Sequence, residues 1–405
     1  MNKSPLACIL FIVVIDLLGY GMIIPLLPLY AQRFHATEWQ IGFLLASFAA
    51  MQFLASPFLG WFSDRHGRRP VLLASLVGSA AGYMLMASAG SLSMLFLARI
   101  LAGVAGASVG TVTAYIADIT PAEKRSSRNA LIGASYSIGG ILGPALAGLL
   151  SPWSIVAPFW LAAILSGSNA IWTWSVLREP ERHALHQQAP GNLRQAFREA
   201  GGWRLGIVTM TKFASSTGFA IWLTIAPQVL FRRFGLDESQ ISFVFVAAAI
   251  LSVAIQAGLF SRLAKHFGDV DLQIAGLAIM AVCPFIMPST GPFPLFVTFA
   301  MVFVIGMSLS LPIPSALASK LASAAMQGRV LGIVDSVNCL GGVCGPVFAG
   351  FLLTADHARP IGQYGNSPLL ACGVILAIGC AVAVTLRQPK PKSVASPHVA
   401  PDKKS

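Results

Sequence analysis

Long apolar runs separated by short polar turns dominate this chain. Twelve runs can be marked, near residues 6–30, 40–62, 71–89, 93–117, 128–150, 156–177, 204–231, 239–261, 270–289, 293–317, 328–354 and 366–387. Each is close to the roughly 20 apolar residues that a helix needs to cross a bilayer. The pattern also repeats. Residues 139–148 read GGILGPALAG and residues 341–350 read GGVCGPVFAG, with six of ten positions identical. Residues 33–43 (RFHATEWQIGF) and 233–243 (RFGLDESQISF) share another six, namely Arg33, Phe34, Glu38, Gln40, Ile41 and Phe43. The offsets are 202 (345 − 143) and 200 (233 − 33), so the chain is expected to be two copies of one membrane unit. An all-α membrane protein is predicted, with 12 transmembrane helices in two pseudo-symmetric six-helix bundles, 1–177 and 204–387. A polar linker at 178–203 joins them, and a disordered tail follows at 388–405.

Composition agrees with that reading. Hydrophobic residues make up 56% of the chain and charged residues 10%, with a mean hydropathy of +0.73; a soluble domain carries about 25% charged residues. A net charge of +12 is compatible with a nucleic-acid partner, but its distribution argues for topology instead. With the N-terminus inside, 21 of 27 basic residues fall on the cytoplasmic side, including Lys3, Arg65, Lys124, Arg182, Lys265, Lys320 and Lys390. Excess Lys and Arg on cytoplasmic loops sets orientation, so both termini are expected in the cytoplasm. The first run is too long for a signal-peptide core and is interrupted by Asp16, Pro25 and Pro28, so it is read as a retained span. The six cysteines all lie in apolar spans without a C-x-x-C pair, so neither a disulfide framework nor a metal site is expected. His183 and His186 read as part of a solvated loop, and residues 194–199 as a short amphipathic surface helix.

Few charges enter the spans. Asp16 and Asp335 are the acids well inside, and Arg99 and Lys212 the bases. A charge at the centre of a membrane helix costs about 2.5–3.5 kcal/mol on insertion scales, and such residues mark ion or substrate paths. Burial favours a protonated carboxyl and a nearby cation favours an ionised one. An acid alternating between the two settings can therefore carry a proton. Asp16 is the candidate carrier with Arg99 as its electrostatic partner, a static ion pair being the alternative. Asp335 and Lys212 form a candidate gating or coupling pair.

Residues 60–70 read GWFSDRHGRRP at the turn between the second and third spans. This pattern resembles the signature loop of the major facilitator superfamily, and residues 51–75 are similar to tetracycline-type drug/proton antiporters. Residues 16–28 (DLLGYGMIIPLLP) and 97–106 (LARILAGVAG) extend the likeness, which covers nearly the whole chain and is strongest in its first half. In that family the substrate site lies between like-oriented bundles near the midplane. The resemblance implies a conformational network of Gly60, Asp64, Arg65, Gly67, Arg68 and Arg69, answered by Asp118 at the end of the fourth span. In the second half only SRLAKHFG (261–268) remains of that loop; Lys265 replaces its acid and Lys320 stands 202 residues beyond Asp118, so the halves are read as sharing a scaffold but not their charges. GG-x-x-GP in the fifth span resembles the antiporter signature, with Gly139, Gly143 and Gly148 allowing close packing and Pro144 bending the helix. The alternative is ordinary small-residue packing.

A proton-coupled antiporter exporting a small amphipathic molecule, a drug or an endogenous metabolite, is implied, in the bacterial cytoplasmic (inner) membrane. Spans one, four, seven and ten line the cavity in this family. Tyr20, Gln52, Ser216, Phe219 and Trp222 are candidate substrate contacts, with Ser215, Thr217 and Ser308 as further hydroxyls. The ninth span, LQIAGLAIMAVCPFIM, lacks the acid of tetracycline exporters, so recognition of a metal chelate is not implied. A dedicated exporter of a siderophore or other biosynthetic product, an importing proton symporter for a sugar or organic acid, and a membrane sensor on a transporter scaffold are the alternatives. No nucleophile–base pair or phosphate loop suggests an enzyme. No cofactor, metal or nucleic acid is expected, and the partners are a small molecule, protons and lipid, with the protein acting as a monomer.

Overall fold

The structure is a computed structural model that describes residues 5–120, 125–179, 202–323 and 326–387. The predicted surface helix at 194–199, most of the linker and the C-terminal tail lie outside the described residues, as do Lys3, Lys124, Arg182, His183, His186 and Lys390.

Fifteen α-helices make up the described chain. The N-terminal half contains α1 (Pro5–Gln32), α2 (Glu38–His66), α3 (Arg68–Ala87), α4 (Leu92–Gly106), α5 (Val109–Ile119), α6 (Arg125–Leu150) and α7 (Ala157–Val176). The C-terminal half contains α8 (Trp203–Phe234), α9 (Glu238–Ala254), α10 (Phe260–Phe267), α11 (Asp269–Ile286), α12 (Phe293–Ser310), α13 (Ile313–Leu321), α14 (Gln327–Asp356) and α15 (Asn366–Val384). Ten spans are long and apolar enough to cross a membrane among the described residues. The 26-residue α6 and the 20-residue α7, each about 30 Å or more in length, complete twelve.

Three of the predicted spans are broken. A π-helical turn, Ile255–Leu259, separates α9 from α10. The fourth span breaks between α4 and α5, where carbonyls freed from the helix ladder must find donors in a setting without water. Ser75 Oγ donates to Ala105 O at 2.5 Å and lies 2.8 Å from Ser108 Oγ, and Gln52 Nε2 donates to Gly106 O at 3.0 Å. The tenth span breaks at Pro312, between α12 and α13, and Lys212 Nζ donates to the Leu311 carbonyl at 3.3 Å. Both breaks are thus held by polar side chains from neighbouring helices. By contrast, α6 and α14 run unbroken through Pro144 and Pro346.

Packing repeats between the halves. In the first, α1 packs on α6 and α7, and α3 on α4 and α7; in the second, α8 packs on α14 and α15, and α11 on α12 and α15. The halves meet through α2 with α14 and α6 with α9. The two repeated sequence motifs explain this seam. Thr37 and Asp237 begin α2 and α9, and their backbone N–H groups donate to Gln40 Oε1 at 2.8 Å and Gln240 Oε1 at 3.1 Å. The shared Gln is therefore a helix-start device that satisfies an otherwise orphaned amide. Just beyond it, Gly42 meets Pro346 and Gly350, while Ser239 Oγ donates to Gly148 O at 2.7 Å. Each copy of one motif grips the opposite copy of the other.

Charged groups reinforce the same end of the seam. Arg33 pairs with Glu238 at 3.1 Å, and Arg232 pairs with Glu38 at 2.9 Å. Glu38 is only 4% exposed and also meets His357 Nδ1 and the Tyr364 hydroxyl, each at 3.1 Å. These contacts lie opposite the end that bears the N-terminus. There, Phe58 and Trp61 of α2 are 73% and 57% exposed, and a methyl group on Gly60 would meet nothing within 4 Å. The bundles close at one end and part at the other. Glu38→Gln is expected to loosen the closed end, because removing one partner of a buried ion pair costs about 3–5 kcal/mol. Amide hydrogen exchange across residues 228–242 should accelerate at least tenfold, and unchanged exchange would refute the clamp.

Candidate functional site

A cavity of about 250 Å³ lies between the bundles, below the closed end. Its walls come from α1 (Tyr20, Ile23, Ile24), α2 (Leu45, Phe48, Ala49, Gln52), α4 (Arg99), α8 (Lys212, Ser216, Phe219, Ala220, Leu223, Thr224) and the second break (Leu311), closed by Asn338, Cys339, Gly342 and Pro346 of α14. Four of the five predicted contacts, Tyr20, Gln52, Ser216 and Phe219, are in the wall. Trp222 is not. It faces away from the wall and packs on Phe303 at 5.4 Å and Phe296 at 6.4 Å, filling the C-terminal core. Ser215 is bound to Ser310, and Ser308 to Ser252, both outside the wall. Thr217 is buried against Gly341 of α14.

Two wall residues had a signal in the sequence that was missed. Phe48 stands four residues before Gln52, hence on the same face of α2; its ring lies 5.4 Å from Tyr20 and 4.5 Å from the Arg99 guanidinium. Asn338 is a lone amide three residues before the second GG-x-x-GP, and it accepts from Ser216 Oγ at 2.7 Å. Gln52 reaches the wall with its amide already engaged at Gly106 O.

Arg99 is 3% exposed, and its Nε has no hydrogen-bond partner. The static Asp16–Arg99 ion pair, the alternative to a carrier role for Asp16, is not formed. Instead Asp16 lies one turn before Tyr20 on α1, with Oδ1 buried and lacking a partner. Tyr83 lies within electrostatic reach of both charges, its hydroxyl against Gly19 of α1. Asp335 and Lys212 are likewise within electrostatic reach without an ion pair, the ammonium being turned to Leu311 O.

The loop between α2 and α3 forms a compact charge cluster. Gly67 adopts φ +109°, a region that L side chains avoid, and this turns the chain sharply between helices. Arg68 then reaches Asp64 at 2.5 Å, Ser63 Oγ at 3.1 Å and Asp118 at 3.2 Å. Arg65 lies over the Trp61 ring at 5.6 Å, and Arg69 donates to Trp174 O at 2.6 Å. Glu179, not singled out from the sequence, accepts from the amides of Arg68 and Arg69 at 2.6 and 2.9 Å and so caps α3. An acid just past the sixth span was its only signal.

The second half carries more than a remnant of this cluster. Asp269 at the start of α11 pairs with Lys320 at the end of α13. The positions stand 201 (269 − 68) and 202 (320 − 118) residues beyond Arg68 and Asp118. The ion pair is therefore retained with its signs exchanged, and Arg387 bonds Asp271 at 2.7 Å beside it. A pair needs opposite charges but not a particular direction, so comparing residue types alone concealed the equivalence.

The glycine motif packs as its residues require. A Cβ on Gly143 would lie 2.7 Å from Gly21 Cα and Leu18 O, and one on Gly139 would lie 2.5 Å from Leu17 Cβ. Gly341 and Gly345 meet Ser216, Thr217 and Ala220 of α8 in the same manner. Gly148 serves the seam instead, with Ser242 and Ser239 near 3.2–3.3 Å from its Cβ position.

Two bundles of repeated topology, parted at one end and enclosing a central cavity with buried charges, define a membrane transporter. The sequence model of the Major Facilitator Superfamily matches residues 9–211 and again residues 208–404. The chain belongs to that superfamily, and it is a multi-pass membrane transporter rather than an enzyme. It is 32% identical over 400 residues to the class C tetracycline resistance protein of Escherichia coli, covering 95% of this chain and 97% of the relative. It is 28% identical to multidrug resistance protein 1 of Bacillus subtilis, covering 93% and 94%. Among solved structures, a bacterial homologue of the human lysosomal transporter Spinster, in an inward-facing and unoccupied conformation, superimposes with a TM-score of 0.79 at 15% identity, covering 95% of this chain and 96% of that one.

Proposed function

We propose that the protein is a proton-coupled antiporter that exports a small amphipathic organic molecule from the cytoplasm or the inner leaflet of a bacterial cytoplasmic membrane. The observation that carries this reading is Asp16: a carboxyl at membrane depth, one helical turn from the cavity wall, with a buried oxygen that accepts no hydrogen bond. Such a group is free to take up a proton, and retaining an acid at that depth is costly without a functional return. Kinship with tetracycline and multidrug resistance proteins supports export.

In this reading Asp16 carries the proton and Arg99 supplies the counter-field through Tyr83 and Tyr20. Tyr20, Phe48, Ser216 and Phe219 contact the substrate, and Gln52 holds the α4 break that shapes the wall. Asp335 and Lys212 serve the opening of the cavity. With both termini cytoplasmic, as the basic residues favour, this conformation is open to the cytoplasm and shut outside by the Glu38 clamp. The Asp64–Arg68–Asp118 cluster ties α2, α3 and α5 into one moving body. Gly60 leaves a bare face on α2 that the opposite conformation can use. The protein works as a monomer whose two bundles rock about the cavity.

Everted vesicles containing the protein test the direction and the coupling. With an acid lumen they should accumulate a transported dye, and nigericin, which collapses the pH difference, should release it. Dye uptake into right-way-out vesicles driven by inward proton flow would instead make the protein an importer.

A further inference from the structure

The cavity wall holds two cations and no acid. Arg99 enters from the N-terminal bundle and Lys212 from the C-terminal one, and none of the remaining wall residues is Asp or Glu. Arg99 is buried at 3% exposure, lies on the Phe48 ring and leaves Nε without an acceptor among the described residues. Asp16, the acid that would answer it, makes no ion pair with it. Lys212 turns its ammonium to a neutral carbonyl, Leu311 O, while Asp335 stands outside the wall. A buried guanidinium without a carboxylate is normally costly, because desolvation is not offset by a counter-charge. The cost is removed if the missing anion arrives with the ligand. Guanidinium groups match carboxylates and related oxyanions through paired N–H donors. The rings of Tyr20, Phe48 and Phe219 offer flat apolar surface to the rest of such a molecule.

We propose that this cavity selects amphipathic organic anions, aromatic or polycyclic molecules whose acidic group is taken by Arg99 while Lys212 adds positive potential from the opposite bundle. The assignment rests on the cavity being the substrate site, and it goes beyond export as such by stating the sign of the cargo.

Fluorescein and rhodamine 123 share a three-ring xanthene body and carry opposite charge at neutral pH, which makes them suitable probes. Fluorescence anisotropy with the purified full-length protein should show fluorescein bound at least tenfold more tightly than rhodamine 123. R99Q and K212Q should each weaken fluorescein at least tenfold while leaving rhodamine 123 unchanged or tighter. R99K, which keeps the charge, should retain most of the preference. K212Q keeps the test decisive if R99Q fails to fold. Rhodamine 123 bound as tightly as fluorescein, fluorescein affinity unaltered in the charge variants, or no fluorescein binding at millimolar concentration would each overturn the assignment. Proteoliposomes with an imposed pH gradient separate this inference from the reading beneath it. Proton-driven movement of rhodamine 123 but not fluorescein would remove the anion preference and leave the antiporter intact. Fluorescein movement indifferent to the gradient would remove proton coupling and leave the anion preference.

Discussion

Asp16→Asn is expected to abolish proton-driven export while the protein still inserts and folds. Asparagine keeps the size and polarity of the side chain but cannot gain and lose a proton. A proton moving down 100 mV releases about 2.3 kcal/mol, enough to sustain a solute gradient of nearly fiftyfold. Without a titrating carboxyl that energy no longer reaches the substrate, and the accumulated gradient should fall to about one. Exchange of labelled for unlabelled substrate at equal concentration needs no proton and should continue. That contrast distinguishes lost coupling from a damaged fold. The absence of an Asp16–Arg99 ion pair sharpens the expectation, because no structural bond is lost with the charge. Undiminished gradient-driven export by Asp16→Asn would overturn the assignment.

Gly143→Leu is expected to be strongly destabilising. Its Cβ would meet backbone, Gly21 Cα and Leu18 O at 2.7 Å, so no side-chain rotation can relieve the overlap. The α1 and α6 helices would have to separate, and overpacking of a tight interface costs about 1–3 kcal/mol or more. The strain falls on the helix that carries Asp16 and Tyr20. Gly345→Leu should behave alike, because Thr217 O and Ala220 Cβ crowd its Cβ position at 2.8 and 2.7 Å between α8 and α14. Gly90→Ala, with nothing within 4 Å, is the control. Thermal unfolding in detergent, read by the loss of the monodisperse peak, should show large drops for the two motif variants and none for the control. Equal stability of Gly143→Leu and the control would mean that α1 and α6 do not touch as described.

The two repeated motifs had visible spacing in the sequence but not a visible purpose. Each has a local meaning, Gln40 and Gln240 as helix-start devices and the glycines as contact surfaces. Their mutual contacts join residues 304 positions apart (346 − 42) at Gly42 and Pro346 and 91 apart at Ser239 and Gly148, and only the folded chain brings them together. The sign-exchanged pair Asp269–Lys320 was hidden for a related reason. Electrostatic attraction is symmetric under exchange of partners, whereas residue identity is not.

Hydropathy and charge were enough to mark twelve spans and the acids and bases inside the membrane, the repeated motifs marked the doubling of the unit, and the resemblance of residues 60–70 to the superfamily's signature loop implied the Asp64–Arg68–Asp118 cluster. The spans and their charges depend on local composition, since a helix in lipid must satisfy its backbone within its own segment. The tertiary structure alone decided which face of each helix meets the cavity. It turned Trp222 into the core, brought Phe48 and Asn338 into the wall, and engaged the Gln52 amide at the α4 break. It also left Asp16 and Arg99 without an ion pair, with the Tyr83 hydroxyl placed against Gly19 of α1. With apolar residues on nearly every face of these helices, hydropathy does not distinguish lipid from core or cavity. Helix rotation is set by close contacts at glycines and by hydrogen bonds between segments distant in the chain.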